Sequence, residues 1–131
     1  MYKFSQRSLM SLKEVRPELV ATVVNALFLH TSVDFIVIEG LRSLNRQKEL
    51  VQSGKSWTMN SNHLKQPDGF SHAVDIVPYV NGGIQWKEPE YFEQIAEAMK
   101  TSADKLGVKI EWGGDWQDVV DMPHYNYLGR R

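Results

Sequence analysis

The first residue in this chain that calls for a chemical explanation is Asp75, which sits inside the apolar run Ala73-Val-Asp-Ile-Val77. An ionised carboxylate there is costly unless it is paired or bound to a metal. A salt bridge or backbone hydrogen bonds would satisfy it, and so would metal ligation. The sequence contains no cysteine. Disulfide scaffolds, thiolate zinc sites, iron–sulfur clusters and cysteine nucleophiles are therefore excluded together, and any metal must be held by His, Asp or Glu. Four histidines are available: His30, His63, His72 and His124. His30 closes a helical pattern, where a cation suits the dipole, and receives no role. In a strand, Ala73, Asp75 and Val77 share one face, so His72 points the other way. His63 precedes a polar excursion that can fold back beside Asp75, which makes it the better partner and leaves His72 as the alternative.

A second cluster is Asp121-Met-Pro-His124. Pro123 fixes φ and removes a donor, so a regular strand is disfavoured, and an irregular corner would let Asp121 and His124 converge. Two histidines and one aspartate with an open fourth position make a hydrolytic zinc site. A nearby carboxylate that is not a ligand takes the proton of the attacking water and passes it to the leaving amine, and Asp121 fits that role. The ligands are spread along the chain and form no compact motif. His-Glu-x-x-His, phosphate loops and Gly-x-Gly-x-x-Gly are all missing. Gly69-Phe-Ser71-His-Ala73 lacks the last glycine of a nucleophile elbow, which argues against Ser71 as a nucleophile.

These residues need elements to carry them. The chain has 131 residues, 42% apolar and 24% charged, with a net charge of −1. That is one ordinary domain with a core of its own and no polycationic footprint, so nucleic acid is not an expected partner. No segment is apolar enough to span a bilayer, and the N-terminal Met1 to Arg7 lacks the core of a secretory signal. Pro17 opens a helix with Leu19, Val20, Val23, Val24, Leu27 and Phe28 on one stripe. Strands are expected at Phe35–Ile38, Ala73–Val77, Val108–Trp112 and His124–Tyr127. Ser43 caps a helix that stops at Gly54, and another runs from near Pro89 to Gly107. Helices and strands mix without a βαβ rhythm, so the fold class is α+β, a small mainly antiparallel sheet flanked by helices.

Ser61-Asn-His63, Ser71-His-Ala-Val-Asp75-Ile-Val-Pro78, Trp112-Gly-Gly-Asp115-Trp116 and Asp121-Met-Pro-His124 together resemble the LAS peptidases. That group includes phage L-alanyl-D-glutamate endopeptidases, D-Ala-D-Ala carboxypeptidases and vancomycin-resistance D,D-dipeptidases. The likeness to the phage endolysin branch extends over nearly the whole chain, including Phe4-Ser-Gln-Arg-Ser8 and Gly40-Leu-Arg-Ser43.

The resemblance implies the LAS fold, Zn2+ held by His63, Asp75 and His124, and Asp121 as the catalytic carboxylate. It implies substrate contacts by Arg42, Gln47 and Ser61, with Arg42 taking a substrate carboxylate in bidentate fashion. Gln47 would orient substrate or Arg42. Trp112 and Trp116 would wall the site or fill the core, and Asp115 would support a ligand or simply make a turn. Two departures stand out. Asp121 occupies a place where many relatives carry Glu, and the eleven residues from Leu64 to Val74 form a longer His-to-Asp spacing than many relatives show.

The implied activity is cleavage of the L-Ala–D-Glu bond in peptidoglycan stem peptides by a phage endolysin. The alternatives are a D-Ala-D-Ala carboxypeptidase or D,D-dipeptidase of the same superfamily, or a non-catalytic wall-binding or virion protein. The expected molecule is a monomeric, single catalytic domain over residues 1–131 without a separate wall-binding module or membrane insertion. It would be made in the host cytoplasm without a signal peptide and reach periplasmic peptidoglycan after holin-type permeabilisation.

Overall fold

The computed structural model describes residues 2–131. Four strands form one antiparallel sheet in the order β1 (Phe35–Glu39), β2 (Ala73–Val80), β5 (His124–Arg130), β4 (Val108–Trp112), and the short β3 (Gly83–Ile84) pairs with the end of β2. Along β2, Val74 and Ile76 are buried and join the helical core, which turns Asp75 to the opposite face. The core is filled mainly by α2 (Pro17–Asn25) and α4 (Pro89–Leu106), through residues such as Leu19, Val23, Phe92, Ile95 and Met99. Gly107 ends α4 in the left-handed region at φ 69°, where a side chain would be strained. The α+β, antiparallel architecture expected from the sequence is the one observed.

Three local features depart from that expectation. The first is α1 (Gln6–Ser11), six residues long and so too short to show an apolar period. It is capped by Ser5, whose hydroxyl accepts the Ser8 amide at 3.1 Å. The buried Ser8 hydroxyl in turn accepts the Val37 amide at 2.9 Å, tying α1 to β1. The second is the single stripe from Leu19 to Phe28, which breaks at Asn25 into a π-turn over Ala26–His30, where Thr31 N–H reaches the Ala26 carbonyl at 2.9 Å. The wider turn leaves Phe28 and Leu29 exposed. The third is the continuation of β2 through Pro78 to Val80, where Pro78 stands opposite Phe35 and its carbonyl accepts from Gln85.

The polar excursion after His63 is a folded element. Gly69 N–H closes a turn on the Gln66 carbonyl at 2.8 Å, and Ser71 bridges to both Val15 and Lys65. Arg16 and His72 both hold Asp68, each at 2.7 Å.

Candidate active site

The site is a row drawn across the sheet. Strand register sets Glu39 of β1 opposite Asp75 of β2, and Asp75 opposite His124 of β5. Directly opposed residues in an antiparallel pair share a face. Glu39 reaches this face because the register shifts between Val37 and Glu39, a bulge that re-aims the side chain. His63 enters from the loop before the excursion, fixed by its own backbone: Ser61 Oγ accepts the His63 amide at 3.1 Å, and Arg42 N–H donates to the His63 carbonyl at 2.8 Å.

Three donors converge there. His63 Nε2 lies 3.2 Å and His124 Nδ1 3.3 Å from Asp75 Oδ1, and the two imidazoles meet edge to face at 5.0 Å. One ligand atom from each of His63, Asp75 and His124 falls within 4.8 Å of the others, so the group could hold a metal ion.

The far nitrogens make the donor set fit a metal. His63 Nδ1–H donates to the Gly40 carbonyl at 2.8 Å, and His124 Nε2–H donates to Asn126 Oδ1 at 2.6 Å. A neutral ring so held carries its one proton on the far nitrogen, so once deprotonated each would turn a lone pair towards Asp75, as a ligating histidine must. Two imidazoles and one carboxylate with an open side suit zinc. Burial pushes the Asp75 carboxyl up, but His124 and His63 outweigh it and hold the group well below the usual carboxylate range.

Asp121 lines the same cavity of about 720 Å³ as the three donors. Burial, then the Asp75 charge, raises its carboxyl above the ordinary aspartate value. Its backbone is locked, since Asp121 N–H donates to the Gly113 carbonyl at 2.9 Å and its own carbonyl accepts His124 N–H at 3.1 Å. A Cβ on Gly113 would collide with the Asp121 carbonyl, so only glycine allows this approach. Asp118, on the same loop, is exposed and does not line the cavity.

The model of the phage L-alanyl-D-glutamate peptidase family matches residues 1–126. The chain belongs to this family. The L-alanyl-D-glutamate peptidase of Escherichia phage T5 is 32% identical over 124 residues, covering 92% of this chain and 85% of that protein. The peptidoglycan L-alanyl-D-glutamate endopeptidase CwlK of Bacillus subtilis is 28% identical, covering 82% of this chain and 69% of its own. The crystal structure of the Serratia marcescens L-Ala D-Glu endopeptidase ChiX superposes with a TM-score of 0.85 at 39% identity, over 97% of this chain and 90% of that one.

For three residues of this phage-type peptidase the structure decides between the places the sequence left open. Gln47, expected to orient substrate or Arg42, is fully buried. Its Oε1 accepts Arg42 Nη1–H at 2.8 Å, and its amide donates to Ser56 Oγ at 3.0 Å and the Thr58 carbonyl at 2.6 Å. With every polar atom engaged it acts through Arg42, as a positioning residue. Asp115 does not support a ligand but pairs with Lys100 at 2.7 Å on the surface. His72 turns away to Asp68 and packs on Tyr127 at 5.3 Å. Arg42 lines the cavity, gripped by Glu39 and Gln47. Ser61 also lines it, with its oxygen committed to the His63 amide. Trp112 is buried, and Trp116 stands 5.3 Å from the His124 ring as a wall of the site.

Sequence reasoning passed over Glu39, Gly40, Glu111, Gly113 and Asn126. Asn126 carried a signal, because it lies two residues after His124 on one strand and so shares its face. Its amide donates to Glu111, its register partner on β4, at 2.7 Å. This chain from Glu111 through Asn126 fixes the His124 tautomer. Asn126→Ala is expected to weaken zinc affinity by about ten- to a hundredfold. Competition against a chromophoric chelator measures that affinity, and unchanged binding would assign Asn126 to packing alone.

Proposed function

We propose that this family member is a zinc peptidase that hydrolyses the L-Ala–D-Glu bond of peptidoglycan stem peptides. The observation that carries the reading is a buried His–Asp–His donor set sharing one cavity with a carboxylate of raised pKa and an arginine. Zinc held by His63, Asp75 and His124 would lower the pKa of a water and polarise the scissile carbonyl. Asp121 accepts the proton of the attacking water and returns it to the leaving amine of D-Glu. Arg42, held by Glu39 and Gln47, presents the rest of its guanidinium to the free carboxylate of D-Glu, and Ser61 Oγ–H is left to donate to the peptide. Family membership supports a role in phage-induced lysis, with access to the wall through a holin-type membrane lesion.

The deciding experiment is mass spectrometry of purified peptidoglycan digested with the protein. New amino-terminal D-Glu and carboxyl-terminal L-Ala are expected, and release of terminal D-Ala instead would replace this reading with a D,D-carboxypeptidase. Arg42→Ala removes a charge-assisted contact to substrate worth roughly 1.5–3 kcal/mol, a fall of about ten- to a hundredfold in kcat/KM. Thermal melting should shift far less. An Arg42→Ala protein that unfolds as severely as it loses activity would make the residue structural.

A further inference from the structure

Resting on the L-Ala–D-Glu reading, we infer that the loop carrying Lys55 and Trp57 is the subsite for the third residue of the stem peptide and selects diaminopimelate over lysine there. The active-site cavity continues past Arg42 to Lys55 and Trp57. The loop is anchored: Lys55 and Ser56 N–H both donate to the Leu50 carbonyl, at 2.9 and 3.0 Å, and Gln47 holds Ser56 and Thr58. Gln47 also binds Arg42, which places the loop on the Arg42 side of the cavity.

Direction along the substrate follows. Arg42 takes the free carboxylate of D-Glu, and the stem continues from D-Glu to its third residue, so the wall beyond Arg42 faces that residue. The muramyl sugar is joined to L-Ala and leaves on the other side of the scissile bond.

Neither Lys55 nor Trp57 has a folding role that explains it. Trp57 is 83% exposed, and Lys55, also exposed, makes no ion pair among the described residues. Both match a diamino acid. An indole covers a run of methylenes, and an ammonium pairs with the distal carboxylate that diaminopimelate has and lysine lacks. Arg42 is already committed to Glu39 and Gln47 on two sides, so a second substrate carboxylate needs its own cation.

The test uses the zinc-loaded protein and two N-acetylated tripeptides, L-Ala-γ-D-Glu-meso-diaminopimelate and L-Ala-γ-D-Glu-L-Lys. Wild type should prefer the first by about fivefold in kcat/KM at low salt, and the ratio should shrink towards one at high ionic strength. Lys55→Glu should invert the ratio, and Trp57→Ala should lower kcat/KM for both peptides. Equal cleavage by wild type, or an unchanged ratio in Lys55→Glu, overturns the inference while leaving the bond assignment standing. Failure of wild type to cut either peptide between L-Ala and D-Glu overturns the bond assignment and the inference with it.

Discussion

Asp121→Asn is expected to lower turnover by about a hundred- to ten-thousandfold, the usual worth of general acid–base catalysis, while keeping zinc and the fold. Asparagine preserves the shape of the side chain but cannot accept a proton from water. The backbone bonds to Gly113 and His124 that lock this corner do not involve the carboxylate, so they survive the change. The pKa gives a second readout. Burial and Asp75 raise the Asp121 carboxyl, so the charged form is penalised in the folded state, and the penalty sets in as pH rises from the ordinary carboxylate range through the raised folded value. Asp121→Asn should therefore be no less stable than wild type at neutral pH. Base function needs the deprotonated carboxylate, so activity should fall as pH drops through the folded pKa. In protein stripped of metal, carbon-detected titration should place that pKa above the aspartate norm, and adding zinc should pull it down. Asp121→Glu should retain part of the activity if the corner absorbs one methylene. Full activity in Asp121→Asn together with a dead, zinc-bound Asp118→Asn would show that the wrong carboxylate has been named. Loss of zinc from Asp121→Asn would make the residue a ligand.

His63→Ala is expected to abolish stoichiometric zinc binding and all measurable hydrolysis, and chelation of wild type should do the same, reversed by added zinc. The buried ring supplies Nε2 beside Asp75, and its Nδ1–H is committed to Gly40, so its loss removes one of the three donors that could hold the metal. His72→Ala should keep zinc, because that ring is engaged with Asp68 and Tyr127. Elemental analysis of the two variants decides the matter. Zinc retained in His63→Ala and lost in His72→Ala would reverse the assignment.

The parts of this site legible in the sequence were those that strand alternation and turn chemistry control. A carboxylate in Ala73–Val77 had to find a partner or a metal, His72 had to face the opposite way from it, and Pro123 had to make a corner that lets Asp121 and His124 converge. Arg42 was singled out by the family resemblance of Gly40-Leu-Arg-Ser43 and not by any local pattern. What escaped depends on register between strands far apart in sequence. No local pattern reports that a bulge after Val37 sets Glu39 beside Asp75, or that Glu111 stands opposite Asn126. Whether Gln47 meets substrate or only Arg42 stayed open for a related reason. Its spacing from Arg42 on α3 (Leu44–Gln52) was visible, but the loop that folds over and buries it was not. The helix α1 was too short to be seen, and the π-turn after Asn25 keeps the apolar stripe of an ordinary helix.

The three metal donors come from a loop and two neighbouring strands, with His63 and His124 at opposite ends of nearly half the chain. An ion gripped by all three would act as a cross-link in a protein that has no cysteine to make a covalent one. It would tie the excursion after His63 to the centre of the sheet and bind only the folded chain, so its binding free energy adds to folding free energy. Resistance to heat and to proteases should then track free zinc, and the same chelator that stops hydrolysis should also loosen the molecule.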